Sequence, residues 1–395
     1  MNVRSTERLD ELLAVRSRAN ADFFEAESER LAACCHRMAE RFARGGRLIA
    51  FGLSPVARSD VRHIAVEFVH PVIVGKRALP AIGLAREGGS LPAQVDSICE
   101  PDDIAIAFGC DEEGSAETRD ALAVARERGC LTIAFQPGAA AEWEFDPPTD
   151  DPYVRQELIE TLYHLLWELV HVFFDHRGLL EGREAKAVHD PGASSFLYPF
   201  LSESETDLDS ILGDVARSAL MKAEEVGALR IQTLTENRAG LLAASAALRD
   251  AFGSGRKLLA LGNGGSATDA MDLVADLRPR FPALDLTEDP SILTAIANDV
   301  GVEQIFQRQV IAYGRAGDVV VALSTSGNSR NVISALSEAR DRELTTVAFV
   351  GYDGGSVASD SLADHVIVTR SQHIPRIQEA QASAYHAVLD LLEQP

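Results

Sequence analysis

One ordered set of sequence blocks occurs twice in this chain, about 210–222 residues apart. RLIAFG at 47–52 is matched by KLLALG at 257–262, and DDIAIAFG at 102–109 by GDVVVALS at 317–324. GCLTIAF at 129–135 lies over ELTTVAF at 343–349, and RQELIETLYH at 155–164 over RIQEAQASAYH at 376–386. Four blocks that keep their order point to tandem duplication of one domain. Each copy has the rhythm of apolar strand, glycine-bearing loop and amphipathic helix. The expected fold class is α/β: two tandem doubly wound parallel-sheet domains flanked by helices, with ligands at the carboxyl ends of the strands.

In the first copy a helical region covers about 5–44, and strands are expected at Arg47–Phe51, Ile104–Phe108 and Leu131–Phe135. A helix follows the first strand from about Val61, and a long helix runs from Tyr153 to Phe174. In the second copy helices cover 207–252, strands Lys257–Leu261, Val319–Leu323 and Thr346–Val350, and a final helix Arg376–Glu393. The stretch 176–206 mixes Gly, Pro, Ser and charge and reads as a linker. The expected domains are therefore 1–175 and 207–395.

The 37 basic and 60 acidic residues leave a net charge of −23. That balance disfavours duplex nucleic acid and anionic membrane surfaces, which attract basic faces. It leaves small anions open, because backbone amides bind phosphate without net positive charge. At 46% apolar residues the chain has ample core material. No apolar run approaches the roughly 18 residues that span a bilayer. The start, MNVRSTERLDELL, is charged and amphipathic rather than a secretory signal. A cytoplasmic protein is expected. The five cysteines, Cys34, Cys35, Cys99, Cys110 and Cys130, lie in the first half without a CxxC. They read as buried or idle thiols rather than a disulfide or zinc framework.

Two loops of the second copy have the chemistry of an anion cradle. Gly262-Asn263-Gly264-Gly265-Ser266 joins a strand to a helix, as does Ser324-Thr325-Ser326-Gly327-Asn328-Ser329. Glycines let amides approach an anion, a helix N-terminus adds its positive dipole end, and hydroxyls complete a neutral shell. Each loop alone reads equally well as a turn or cap. Two at neighbouring strand ends point to a phosphate-ester pocket and to no nucleotide cofactor.

GNGGSATDAMDLVADL, ANDVG, GDVVVALSTSGNSRNV and RIQEAQASAYH resemble the sugar isomerase (SIS) domain family, most of all its phosphoheptose isomerases. The resemblance covers 207–395, and the first half looks like a diverged copy. It implies that Asn263, Gly264, Ser266, Ser324, Thr325, Ser326 and Ser329 hold the phosphate and nearby hydroxyls. It implies that Asn298 and Asp299 contact the sugar. Arg280 falls at a substrate-site arginine, and reads equally as a solvated charge. Such a family places a His and a Glu four apart on the helix after the first loop, and a Gln and a His eight apart on the last helix. These residues serve as base, acid and ligands of one divalent metal, zinc first.

In the second copy the first pair is Asp272 and Asp276, while Gln378 and His386 match; Pro375 replaces a usual Asp. The first copy is the mirror case. It keeps His63, Glu67, Gln156 and His164, but its loops are Leu53-Ser54-Pro55-Val56 and Cys110-Asp111-Glu112-Glu113-Gly114. The three carboxylates would repel a phosphate. Residues four apart share a helix face, whereas residues eight apart lie about 12 Å apart along the axis. Gln and His of one helix therefore do not reach one ion easily. The expectation is that sites are shared between domains: Asp272, Asp276 and Gln378 with His164, and His63, Glu67 and Gln156 with His386. Against it stands the reading of Glu157, Glu160, His164, Glu168 and His171 as a solvated helix face, and of each four-apart pair as a surface pair.

The resemblance implies an aldose–ketose isomerase for a phosphorylated sugar, sedoheptulose 7-phosphate first, with Asp276 as base and His164 or His386 as acid. The alternatives are a sugar-phosphate sensor without turnover and an isomerase-derived enzyme with altered chemistry. The tandem arrangement implies a homodimer of chains.

Overall fold

Each half of the chain builds a five-stranded, wholly parallel sheet. The computed structural model describes residues 3–72, 76–84, 88–109, 115–175, 207–278 and 280–393. The first half runs α1 (Val3–Ala43), β1 (Leu48–Phe51), α2 (Pro55–Val69), β2 (Ala81–Leu84), α3 (Leu91–Ile98), β3 (Ile104–Ala107), α4 (Ser115–Glu127), β4 (Leu131–Ala134), β5 (Trp143–Glu144) and α5 (Pro152–Asp175). The second opens with α6 (Leu208–Glu236), α7 (Arg238–Gly253), β6 (Leu258–Leu261), α8 (Gly265–Leu277), β7 (Ala283–Asp285), α9 (Pro290–Asp299) and α10 (Gln307–Tyr313). It closes with β8 (Val319–Ser324), α11 (Arg330–Asp341), β9 (Thr345–Gly351), α12 (Gly355–Ser359), β10 (His365–Thr369) and α13 (Ile374–Leu392). The strand orders are β2-β1-β3-β4-β5 and β7-β6-β8-β9-β10, the same permutation in both halves. In this order the chain reverses direction between the first and third strands, and a crevice opens there at the carboxyl ends.

In the first sheet strand alternation feeds two cores. In β1, Leu48 and Ala50 join Phe23, Ile64 and Leu162 on one face, while Ile49 and Phe51 join Leu91 and Leu122 on the other. In the second half Leu259 and Leu261 of β6 pack with Val320, Leu336 and Ala348. The duplication extends to buried charge. Asp103 accepts from the Arg47 amide at 2.8 Å and pairs with its guanidinium at 2.7 Å. Asp318 accepts from the Lys257 amide at 3.1 Å and pairs with its ammonium at 2.5 Å.

Contacts divide the chain into residues 19–224 and, as a second unit, residues up to 18 with 225 onward. This differs from the division at 175 and 207. The start of α1 is tied into the second unit by Arg8 to Asp390 at 3.0 Å and by Asp10 to Arg238. Ile211, Val215 and Ala219 of α6 are core residues of the first unit. The expected linker, 176–206, lies outside the described residues. The helix α2 starts at Pro55 rather than near Val61, because Ser54 Oγ accepts from the Ala57 amide at 3.0 Å and proline suits the first helical position. Cys34, Cys35, Cys99 and Cys130 are buried free thiols; Cys110 lies outside the described residues. Among the described residues no helix is long and apolar enough to cross a membrane.

Candidate active site

The loops after β6 and β8 flank the crevice of the second sheet. Gly262 must be glycine, since a Cβ there would lie 2.1 Å from the Ser266 carbonyl oxygen. Gly264, the N-cap of α8, and Ser329, the N-cap of α11, contribute no side-chain cap. Neither N-cap side chain occupies the first-turn amides, although on α11 the Val332 amide already donates to Asn331 Oδ1 at 3.0 Å. Helix N-termini with open amides suit an anion. The second loop is braced from within: Ser324 Oγ accepts from the Gly327 amide at 3.1 Å and Ser326 Oγ from the Asn328 amide at 3.2 Å. Gly327, at φ +63°, is pressed against the Gly354 carbonyl, which a Cβ would meet at 2.2 Å. The two loops are joined by their side chains. Asn263 donates to Asn331 Oδ1 at 3.0 Å, and Asn331 donates to Asn263 Oδ1 at 2.8 Å.

Helix α8 leaves the first loop and packs on α13. Asp272 and Asp276 lie on one face of it, and His386 Nε2 stands 3.4 Å from Asp272 Oδ2 and 3.4 Å from Asp276 Oδ2. Tyr385 donates its hydroxyl to Asp272 Oδ2 at 2.7 Å. Burial, then the charge of Asp272, pushes the Asp276 carboxyl up to about 6, with His386 acting in the opposite direction. Donor atoms of Asp272, Asp276 and His386 lie within 4.8 Å of one another, a spacing that suits one divalent cation.

The first unit has the same frame with other chemistry. His63 Nε2 lies 3.3 Å from His164 Nε2 and 4.0 Å from Glu67 Oε1, while His63 Nδ1 meets the Tyr163 hydroxyl at 2.9 Å. Burial, then the neighbouring His164, holds His63 well below the usual imidazole range. His63, Glu67 and His164 form a second metal-competent group. Its first loop offers an anion nothing comparable: Ser54 already caps α2 and Pro55 has no amide hydrogen. The acidic loop 110–114 lies outside the described residues.

Several expectations need correcting. His164 stands against His63 of its own half, and His386 against Asp272 and Asp276 of its own half. An eight-residue gap keeps Gln and His of one helix apart, but the last helix needs only its histidine to meet the pair. Gln156 and Gln378 are buried about two turns before those histidines. Glu157, Glu160, His164, Glu168 and His171 are not a solvated face; all five are buried, and Glu168 pairs with Lys222 at 2.7 Å. Asp272 is likewise buried, so it is no wet surface residue. Arg280 is exposed and pairs with Glu393. Asn298 and Asp299 are exposed at the end of α9, where Asn298 donates to Asp299 at 2.7 Å. Ser266 and Ser324 are buried, and Pro375 sits in the first turn of α13. Two features were missed from sequence. Tyr163 and Tyr385 precede the matched histidines in both copies, and that shared Tyr-His was a usable signal. Asn331 had none, because its partner lies 68 residues away.

Residues 223–351 match the SIS domain family. The chain is 49% identical over 154 residues to a phosphoheptose isomerase of Geotalea daltonii, covering 37% of this chain and 79% of that one. It is 46% identical over 172 residues to one of Geobacter sulfurreducens, covering 42% and 90%. The C-terminal domain of glucosamine-fructose-6-phosphate aminotransferase from Francisella tularensis matches 97% of this chain with 94% of its own length, at a TM-score of 0.60 and 9% identity. That likeness concerns the fold alone.

Proposed function

The chain belongs to the phosphoheptose isomerase family of SIS-domain proteins, and on that premise we propose that it isomerises a seven-carbon sugar phosphate between ketose and aldose. The reaction is sedoheptulose 7-phosphate to glycero-manno-heptose 7-phosphate. The observation that carries this reading is that the first anion loop opens the same helix, α8, that carries Asp272 and Asp276. Asp272 is seven residues beyond Gly265, about 10 Å of helix rise. An extended seven-carbon chain with its terminal ester spans about 10 Å as well. A phosphate held by Gly264, Ser266, Ser324, Thr325, Ser326 and Ser329 would leave the other end of the sugar level with Asp272, which His386 joins to Asp276 one turn further on.

Asp276 takes a proton from C1 of the ketose, exchanges it with solvent while the enediolate is held, and delivers a proton to C2. His386 carries a proton from O1 to O2, so one C–H and one O–H bond break and one of each forms. A carboxyl pushed up to about 6 is ionised at neutral pH yet basic enough for this task. Asp272, held by Tyr385, keeps His386 oriented. Asp272, Asp276 and His386 also fit a divalent metal by spacing and donor type. When bound, such an ion supplies electrostatic stabilisation of the enediolate oxygen. His63, Glu67 and His164 fit one in the same way. Gln378, Asn298, Asp299 and Arg280 remain candidate sugar contacts, and a homodimer the proposed assembly.

A sensor without turnover is the second reading. Asp276 favours it, because its side chain is one methylene shorter than the family's Glu, and a misplacement of about 1 Å costs on the order of 10²-fold in rate. NMR of the purified protein with sedoheptulose 7-phosphate separates the two. An aldoheptose 7-phosphate supports the isomerase; phosphate resonances that shift without product support the sensor.

A further inference from the structure

The Asn263–Asn331 pair belongs to neither loop alone. Asn263 lies in the loop after β6, Asn331 in the first turn of α11 after the loop from β8, and these strands are neighbours at the sheet's switch point. The two side-chain amides exchange hydrogen bonds of 3.0 and 2.8 Å, and the Val332 amide donates to Asn331 Oδ1 at 3.0 Å. Such a ring fixes which end of each amide is oxygen and which is nitrogen, because either flip alone would set like groups against each other. Asn331 is buried. Half of the hydrogen-bonding capacity of Asn263 is therefore spent on Asn331. What remains is one N–H and one lone pair, with orientation set by the ring.

We propose that Asn331 is the positioning residue of the phosphate cradle: it locks Asn263 so that the second amide N–H of Asn263 serves a phosphate ester, and it holds the two loops at one fixed separation before ligand arrives. The inference rests on the phosphate-site reading above, but not on turnover. Without the ring, Asn263 would rotate and the cradle would have to organise on binding, which weakens affinity.

The experiment is a double-mutant cycle on the full chain, read as binding of inorganic phosphate by calorimetry, with thermal melts as the folding control. Asn331→Ala and Asn263→Ala should each weaken phosphate binding about tenfold, the size of a lost pair of neutral hydrogen bonds. The double variant should bind no more weakly than Asn263→Ala, because Asn331 acts through Asn263. If Asn331→Ala does not fold, Asn331→Ser serves instead. It keeps a short, polar, uncharged side chain in the first turn of α11 and loses the amide that meets Asn263. It should fold and still bind phosphate more weakly. With sugar phosphate, loss of Asn331 should raise KM and leave kcat within about twofold, a split that follows when only ground-state and transition-state phosphate binding is weakened alike. Losses that simply add, a folded Asn331 variant that binds phosphate like the parent, or a parent that binds no phosphate would each overturn the proposal. A parent that binds phosphate but turns over no sugar counts against the isomerase reading and leaves the role of Asn331 standing.

Discussion

Tyr385 donates its hydroxyl to the same Asp272 oxygen that faces His386, at 2.7 Å against 3.4 Å. One carboxylate oxygen thus serves two neighbours on the last helix, and the tyrosine fixes it for the histidine. Tyr385→Phe should destabilise the protein by about 1–2 kcal/mol, as expected for a hydrogen bond to a charged group. It should also raise the midpoint of the acid limb of kcat/KM, since the carboxylate pair loses a donor. A urea titration and a pH–rate profile check the two effects.

Asp276 carries a pH signature in stability as well. Its folded-state value, raised from 3.8 to about 6, means that the folded chain holds this proton more tightly than the unfolded chain. The contribution is therefore fully present below about pH 4 and is lost as pH rises through about 6. The shift corresponds to about 3 kcal/mol. In chelator-treated protein, Asp276→Asn should remove that slope and be the more stable form at pH 7. Denaturant midpoints across pH 4–7 measure it.

The first-unit loop predicts a separation of stability from binding. Ser54 caps α2, so Ser54→Ala should cost about 1 kcal/mol. It should leave phosphate affinity unchanged, whereas Ser266→Ala should weaken phosphate binding without a comparable loss of stability. Melting curves beside phosphate titrations for both variants check this.

The duplicated buried aspartates make a third comparison. Asp318 accepts from the Lys257 and Arg315 amides and pairs with the Lys257 ammonium. Asp318→Ala should cost about 2–4 kcal/mol, because it strands a cation and two backbone donors. Asp103→Ala should cost a similar amount, read from the same urea series.

The repeated blocks made the two-sheet fold legible, because β1, β3 and β4 and their counterparts are buried apolar runs. The edge strands were not legible. β2 (AIGL), β5 (WE), β7 (ALD) and β10 (HVIVT) are short and partly exposed, so they carry little apolar patterning. The anion loops could be read from glycine and hydroxyl chemistry. The partners of His164 and His386 could not. Spacing along one helix says which residues cannot share an ion, but not which helix faces it. The burial of Glu157 and Glu160 was hidden for the same reason, since a charged stripe looks alike in sequence whether water or protein covers it.

The most direct test of the isomerase account is solvent exchange: the protein with sedoheptulose 7-phosphate in D2O, followed by proton and carbon NMR. The account predicts an aldoheptose 7-phosphate that carries deuterium at C2. It also predicts an Asp276→Asn variant that is folded, still binds phosphate, and is slower by about 10²–10⁴-fold, the usual contribution of a general base. Product formed at the parent's rate by Asp276→Asn would contradict the assignment of the base. No product and no exchange with the parent protein, despite bound phosphate, would contradict the isomerase itself.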